Sequence, residues 1–322
     1  MPNYMPTKNK IQVPAEKAGF RLDIFLSEEL GVNRSQVQKM IENEKVLVNE
    51  KLPKKAGDKL GEGATIVIAR SKAMEQSQKI TGLPRSLRSL AMTPKIIAET
   101  PDYIVIEKPT GMLTHPTMAN ETNTLTNFLL EKYPKIKNIG EDPARPGIVH
   151  RLDKEASGLI VVAKTQKMFN HLKEQFKNRT IEKEYFALVH GKVARDCGEI
   201  TFPIARSKDR MAAVPESQEK DGAKEAKTEF TIEKQFVNFT LLKIKILTGR
   251  MHQIRVHMLA YNHPLVGDPL YFQKKQKKTW DKKLGRLFLH SAKLGFVDLE
   301  GKKQTFESPM QKELEEFLKL LK

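Results

Sequence analysis

One cysteine, Cys197, in 322 residues leaves no partner for an internal disulfide and no thiolate set for zinc. The eight histidines supply no metal pattern: His252 and His257 stand five apart, and no H-E-x-x-H occurs. Long apolar runs are missing too. The longest, Leu159 to Ala163, is far shorter than the roughly 20 residues a membrane span requires. Met1 to Lys10 has no apolar core, so a secretory leader is not expected and the cytoplasm is the expected compartment. Phosphate cradles are absent as well. There is no G-x-x-x-x-G-K-[ST] and no G-x-G-x-x-G after a strand, so no nucleotide cofactor is expected. Ser157 sits in Ala-Ser-Gly-Leu rather than in a nucleophile elbow.

What the chain has is positive charge. A net +17 speaks to partners rather than to fold. Nucleic acid is the first polyanion to consider and an anionic membrane the second; the alternative is a lysine-rich soluble protein. Apolar residues at 39% and charged residues at 30% fit a globular chain, and the length suits about two domains.

Three segments are expected. Residues 11–70 read as a small α+β module, with helices at Arg21 to Leu30 and Ser35 to Glu42 and strands at Val46 to Val48 and Gly61 to Ala69. Residues 71–98 lack periodicity and carry prolines, serines and basic residues, as a linker would. Residues 99–322 hold strand candidates at Tyr103 to Ile106, Gly158 to Ala163, Tyr185 to Val189, Phe239 to Ile246 and Leu287 to Leu289. Helix candidates are Thr124 to Tyr133, Gln166 to Asn178, Met251 to Ala260 and Met310 to Leu321. Strands following strands argue an α+β fold with a mixed, mainly antiparallel sheet.

Polar runs mark where chemistry could sit. His150, Arg151, Asp153, Lys154 and Glu155 directly precede the apolar strand, a loop that a rigid platform would present. Cations beside Asp153 would keep it ionised as nucleophile or base; the alternative is a turn of solvated charges. Thr248 to His257 follows a strand and opens a helix. Thr248 is a candidate N-cap, which would put Arg250, His252, Gln253 and Arg255 in the first turns, where anions are attracted. A capped helix with a basic face is the alternative. Tyr185 lies in an alternating strand and matters if it faces Asp153. Arg206 to Arg210, in a long polar segment, and Lys274 to Arg286, with Phe272 and Trp280 interleaved, are candidate phosphate-contacting stretches.

Together these runs resemble the RluA-type family of RNA pseudouridine synthases. His150-Arg151-Leu152-Asp153 with Ser157-Gly158-Leu159 carries the likeness, although Glu155-Ala156 replaces the more usual Asp-Thr. Glu107 to Met112, Lys183-Glu184-Tyr185, Ala226-Lys227-Thr228, Gly249 to His257, Gly267 to Tyr271 and Leu289-His290-Ser291 follow in the family's order. Arg21-Leu22-Asp23, Asn33-Arg34-Ser35 and Val46 to Asn49 look like the small RNA-binding module first described in a ribosomal protein.

The resemblance implies isomerisation of uridine to pseudouridine, expected in large-subunit ribosomal RNA, with transfer RNA or a non-catalytic RNA-binding role as alternatives. It implies Asp153, Tyr185 and Arg255 as catalytic residues and no cofactor or metal. Arg151 matches the residue that fills the space an extruded base vacates. RNA contacts are expected at Arg151, His150, Arg250, His252, Gln253, Arg206, Arg210, Arg34, Lys274 and Lys275, in a monomer with no membrane partner.

Overall fold

A computed structural model of the chain describes residues 9–30, 34–42, 46–49, 51–53, 55–68, 93–117, 121–208, 210–215, 221–274, 276 and 278–322. The chain divides into two compact units, Met1–Pro84 and Arg85–Lys322.

In the first unit, β1 (Asn9–Gln12) precedes α1 (Leu22–Leu30) and α2 (Arg34–Glu42), and β2 (Val46–Val48) and β3 (Thr65–Ile68) follow. The strands form an antiparallel sheet in the order β1-β3-β2. Leu22, Phe25 and Leu26 repeat at helical spacing and meet Val37, Val46 and Ile66 in one buried cluster. β1 lies across the expected start of the module at about Ile11. Asn33, a candidate cap, and the stretch 69–92, most of the expected linker, lie outside the described residues.

The second unit is built on a nine-stranded sheet. Its strands are β4 (Lys95–Glu99), β5 (Tyr103–Lys108), β6 (Ser157–Ala163), β7 (Glu182–His190), β8 (Cys197–Ile200), β11 (Thr228–Gln235), β12 (Phe239–Ile246), β13 (Leu289–Val297) and β14 (Lys303–Glu307). A separate hairpin joins β9 (Ile204–Ser207) to β10 (Arg210–Ala213). The order is β4-β5-β6-β13-β7-β12-β11-β8, with β14 on β13. Among the named strands of the described residues, β6 and β13 pair in parallel, through His290–Ser157 and Ser291–Gly158, and the other strand pairs are antiparallel. The helices are α3 (Leu125–Lys132), α4 (Gln166–Lys177), α5 (Gln253–Ala260), α6 (Thr279–Leu284) and α7 (Lys312–Lys319). The expected fold class is the observed one.

All seven residues of β6 are buried. Leu159 and Val161 pack with Met168 and Leu172 of α4, whereas Ile160 and Val162 pack with Leu125 and Leu129 of α3. A strand covered on both faces reads as an unbroken apolar run, which is why Leu159 to Ala163 shows no alternation. Tyr185, Ala187, Leu242 and Ile244 instead turn towards Ile254 and Met258 of α5.

Residues 95–98, assigned to the linker from sequence, belong to β4. Ile96 and Ala98 pair with Ile106 and Val105, and the apolar contacts that β5 offers outweigh the local loop signal of Pro94. The polar segment holding Arg206 and Arg210 is a hairpin, with Ser207 opposite Arg210. Ile204 and Met211 of that hairpin pack with Val256 and Tyr271, which fixes it.

Candidate active site

Asp153 sits in the loop that enters β6, and an earlier segment grips that loop by its backbone. The buried Lys108 ammonium at the end of β5 donates to the carbonyls of Pro109 (2.9 Å), Met112 (2.8 Å) and Ala156 (2.7 Å). Gly111 N–H donates to Lys154 O at 2.7 Å, and the Thr110 hydroxyl to Glu155 O at 2.7 Å. Thr114 Oγ1 donates to Leu152 O at 3.0 Å. Burial lowers the Lys108 pKa to about 7, against the pull of the Asp153 charge. The run Glu107 to Met112 is thus a clamp on the Asp153 loop, a function its residue types did not announce.

Arg255, on the first turn of α5, reaches Asp153 from the opposite side. Its Nη1 lies 3.1 Å from Asp153 Oδ2 and 3.5 Å from Glu155 Oε2. Nε and Nη2 form a two-pronged pair with Asp268, each at 2.8 Å. Asp268 is buried and also accepts the backbone N–H groups of Leu270 and Tyr271. Burial alone would disfavour the guanidinium charge, but the bonds to Asp268 and the Asp153 charge outweigh it and raise the pKa. Such a fork fixes direction as well as charge, so Asp153 faces a cation that cannot turn away. Asp268 was legible only as part of a family-like motif.

Tyr185 of β7 pairs with Ser291 of β13, which in turn pairs with Gly158 of β6, so three adjacent strands bring Tyr185 beside the Asp153 loop. The tyrosine packs with Leu152 and Ala156. Burial raises its pKa and the Asp153 charge adds to this, so the phenol stays neutral.

These three residues line one cleft of about 670 Å³. Of its lining side chains, Asp153 alone is acidic, against seven lysines and arginines. The Asp153 side chain is 16% exposed, hence reachable.

Thr248 does not cap α5. Its hydroxyl accepts Lys227 N–H and donates to Gln253 Oε1 at 2.6 Å, and the helix starts only at Gln253. His252 holds the cap position in a left-handed conformation, φ 56°. Arg250 and His252 therefore precede the helix instead of occupying its first turns. Tyr271, buried, accepts the Met211 N–H and has His252 Nδ1 at 2.9 Å to receive its own proton. That leaves the His252 proton on Nε2, 3.9 Å from Asp153 Oδ1. Burial lowers the His252 pKa, which keeps the ring neutral.

The other expected RNA contacts divide. Arg151 is exposed at the cleft, with Nη1 3.3 Å from His115 Nε2, and Arg250 donates from Nε to Glu225 O. Arg206 and Lys274 are exposed, as is Arg210, which donates to Leu270 O. Arg34, in the first unit, ties one nitrogen to the buried Asp23 at 2.8 Å and stays otherwise open. Lys275 lies outside the described residues.

Two expectations are corrected. Gln253 is buried with its amide spent on Thr248, Arg250, Lys227 and Thr228, so it braces the turn and has nothing left for RNA. His150 accepts the Val161 N–H at 3.0 Å and stacks on Phe176. Burial and the neighbouring Lys183 charge lower its pKa to about 3, so it is no phosphate-binding cation. In the basic stretch 274–286, Trp280 packs edge-on against Phe239 and Phe317, and Arg286 donates to Ser157 Oγ at 2.7 Å. Neither is free to meet a base.

Comparison with known proteins agrees with this architecture. Residues 102–260 match the family model for RNA pseudouridylate synthase, and residues 20–66 match that for the S4 domain. The chain is 36% identical over 321 residues to the uncharacterized RNA pseudouridine synthase YlyB of Bacillus subtilis, covering 98% of this chain and 99% of the relative. It is 36% identical over 329 residues to ribosomal large subunit pseudouridine synthase D of Neisseria meningitidis serogroup B, covering 98% and 83%. The solved structure of human RNA pseudouridylate synthase domain containing 4 shares the fold, with a TM-score of 0.57 and 24% identity over 73% of this chain and 97% of that one. With motif order, sheet and whole-length relatives in agreement, the chain belongs to the RNA pseudouridine synthase family, as an isomerase that carries an S4 domain ahead of its catalytic unit.

Proposed function

We propose that this enzyme converts specific uridines of large-subunit ribosomal RNA into pseudouridine, with Asp153, Arg255 and Tyr185 at the reacting nucleoside. One observation carries the assignment. Among the described residues that line the cleft, Asp153 is the one carboxylate; it lies 3.1 Å from a clamped guanidinium, and the other lysines and arginines of the lining are cations. Relatives bearing the large-subunit name match the chain over nearly its whole length, and this supports the choice of RNA.

A uridine must leave its stack to reach Asp153, at a cost of a few kcal/mol that phosphate contacts on the basic wall offset. Asp153 then either attacks the anomeric carbon or removes the adjacent ribose proton. Arg255 holds it aimed in both routes. The detached uracil turns against Tyr185, whose buried ring offers an aromatic face, and rejoins the ribose through carbon. Arg151, exposed at the cleft mouth, has the planar group to fill the vacated stack. An isomerisation has no net redox change and so calls for no redox cofactor; a cytoplasmic monomer is part of the same proposal.

The test is to map pseudouridines in total RNA from a strain lacking the gene, with and without the gene restored. Sites that vanish from large-subunit ribosomal RNA and return on restoration support the proposal; sites lost from transfer RNA alone contradict the substrate class.

A further inference from the structure

Lys183 of β7 is 8% exposed and lines the cleft two residues before Tyr185 on the same strand face. Among the described residues it makes no hydrogen bond and no ion pair. Its ammonium lies over the face of Phe176, 5.5 Å from the ring centroid. The other basic residues of the wall are engaged. Arg145, Lys177 and Arg179 each pair with a carboxylate, and Arg250 and Arg151 meet a carbonyl and the His115 ring. Gly249, also in the cleft lining, leaves room beside Lys183 Nζ, 3.8 Å from where a Cβ would stand.

A buried ammonium without a counter-ion is costly, and a fold retains one where an anion arrives to complete it. The uracil ring is neutral, whereas the strand that delivers it carries one negative charge per nucleotide. Two residues along a strand span about 7 Å, so a base seated at Tyr185 brings its own backbone within reach of Lys183.

We propose that Lys183 is the seat of an RNA backbone phosphate, the one beside the extruded uridine. This rests on the RNA-modifying reading above. Burial lowers the Lys183 pKa to about 8, so the amine remains mainly a cation at neutral pH and gains proton affinity when the phosphate docks.

The experiment measures binding of the full-length enzyme to an unmodified large-subunit ribosomal RNA transcript over a range of salt, with Tm recorded beside it. Lys183→Met should bind about tenfold more weakly. Its plot of log affinity against log salt should be shallower by about 0.7–0.9, the share of one phosphate, while Lys183→Arg keeps the wild-type slope. Tm of Lys183→Met should equal or exceed that of wild type, because an unpaired buried charge is gone. An unchanged salt slope, or a lowered Tm with the slope intact, overturns the proposal. Because the readout is binding, a wild-type enzyme that binds yet makes no pseudouridine counts against the proposed function, and the slope still decides Lys183.

Discussion

Arg255 is shared by three carboxylates, of which only Asp153 lines the cleft; Asp268 is the anchor that makes the guanidinium a fixed object. Replacing Asp268 with Asn turns an acceptor into an amide facing N–H donors. Asp268→Asn should lower stability by about 3 kcal/mol, by the rule for breaking a buried pair, and should reduce kcat more than KM. Urea midpoints and steady-state kinetics check both. His150 offers a pH test. Its folded pKa, about 3, lies below its ordinary 6.5, so between those values the unfolded chain binds the extra proton. Stability from this group is complete above pH 6.5 and is lost as pH falls towards 3. His150→Gln should flatten the fall in Tm across that window; a parallel fall in both proteins would contradict the neutral, buried assignment. The sequence made Asp153, Tyr185 and Arg255 visible through their motifs. It misplaced His150 and Gln253, because a polar residue spent on backbone groups looks the same in sequence as one held out to solvent.

Elements were legible where burial is periodic. α4 carries Met168, Phe169 and Leu172 on one buried face and begins at Gln166, as its spacing predicts. β4, β8, β9, β10, β11 and β14 have no counterpart among the expected strands; Cys-Gly-Glu-Ile, Arg-Met-Ala-Ala and Lys-Gln-Thr-Phe-Glu, for instance, are short and mostly exposed or half-buried, with little apolar alternation to betray them. The start of α5 was misread because threonine is a good cap in isolation, while here Gln253 captures its hydroxyl. The junction of β6 with β13 depends on one glycine. Gly158 has φ 110°, and a Cβ there would stand 2.2 Å from Ser291 O. Gly158→Ala should therefore cost about 3 kcal/mol or more through strain and overlap at the parallel β6–β13 pairing. Wild-type thermal stability in that variant would mean the β6–β13 contact is looser than described.

At the scale of the molecule, each unit has its own core. The fold class was readable because strands succeed one another without intervening helices; the sheet order was not, since it depends on pairings between distant residues such as Tyr185 and Ser291. Deleting residues 1–70 should weaken binding to structured ribosomal RNA while leaving the rate on saturating RNA within about tenfold, because the Asp153 cleft is lined entirely from the second unit. Equal affinity without those residues would remove the targeting role of the S4 domain.

The central claim is that the Asp153 carboxylate performs the isomerisation and is dispensable for holding RNA. Forming the carbon–carbon glycosidic bond releases the hydrogen at uracil C5, so the most direct measurement is tritium release from large-subunit ribosomal RNA labelled there. The wild-type enzyme should release tritium and Asp153→Asn none above background, with RNA affinity preserved. Release by Asp153→Asn at the wild-type rate would contradict the claim.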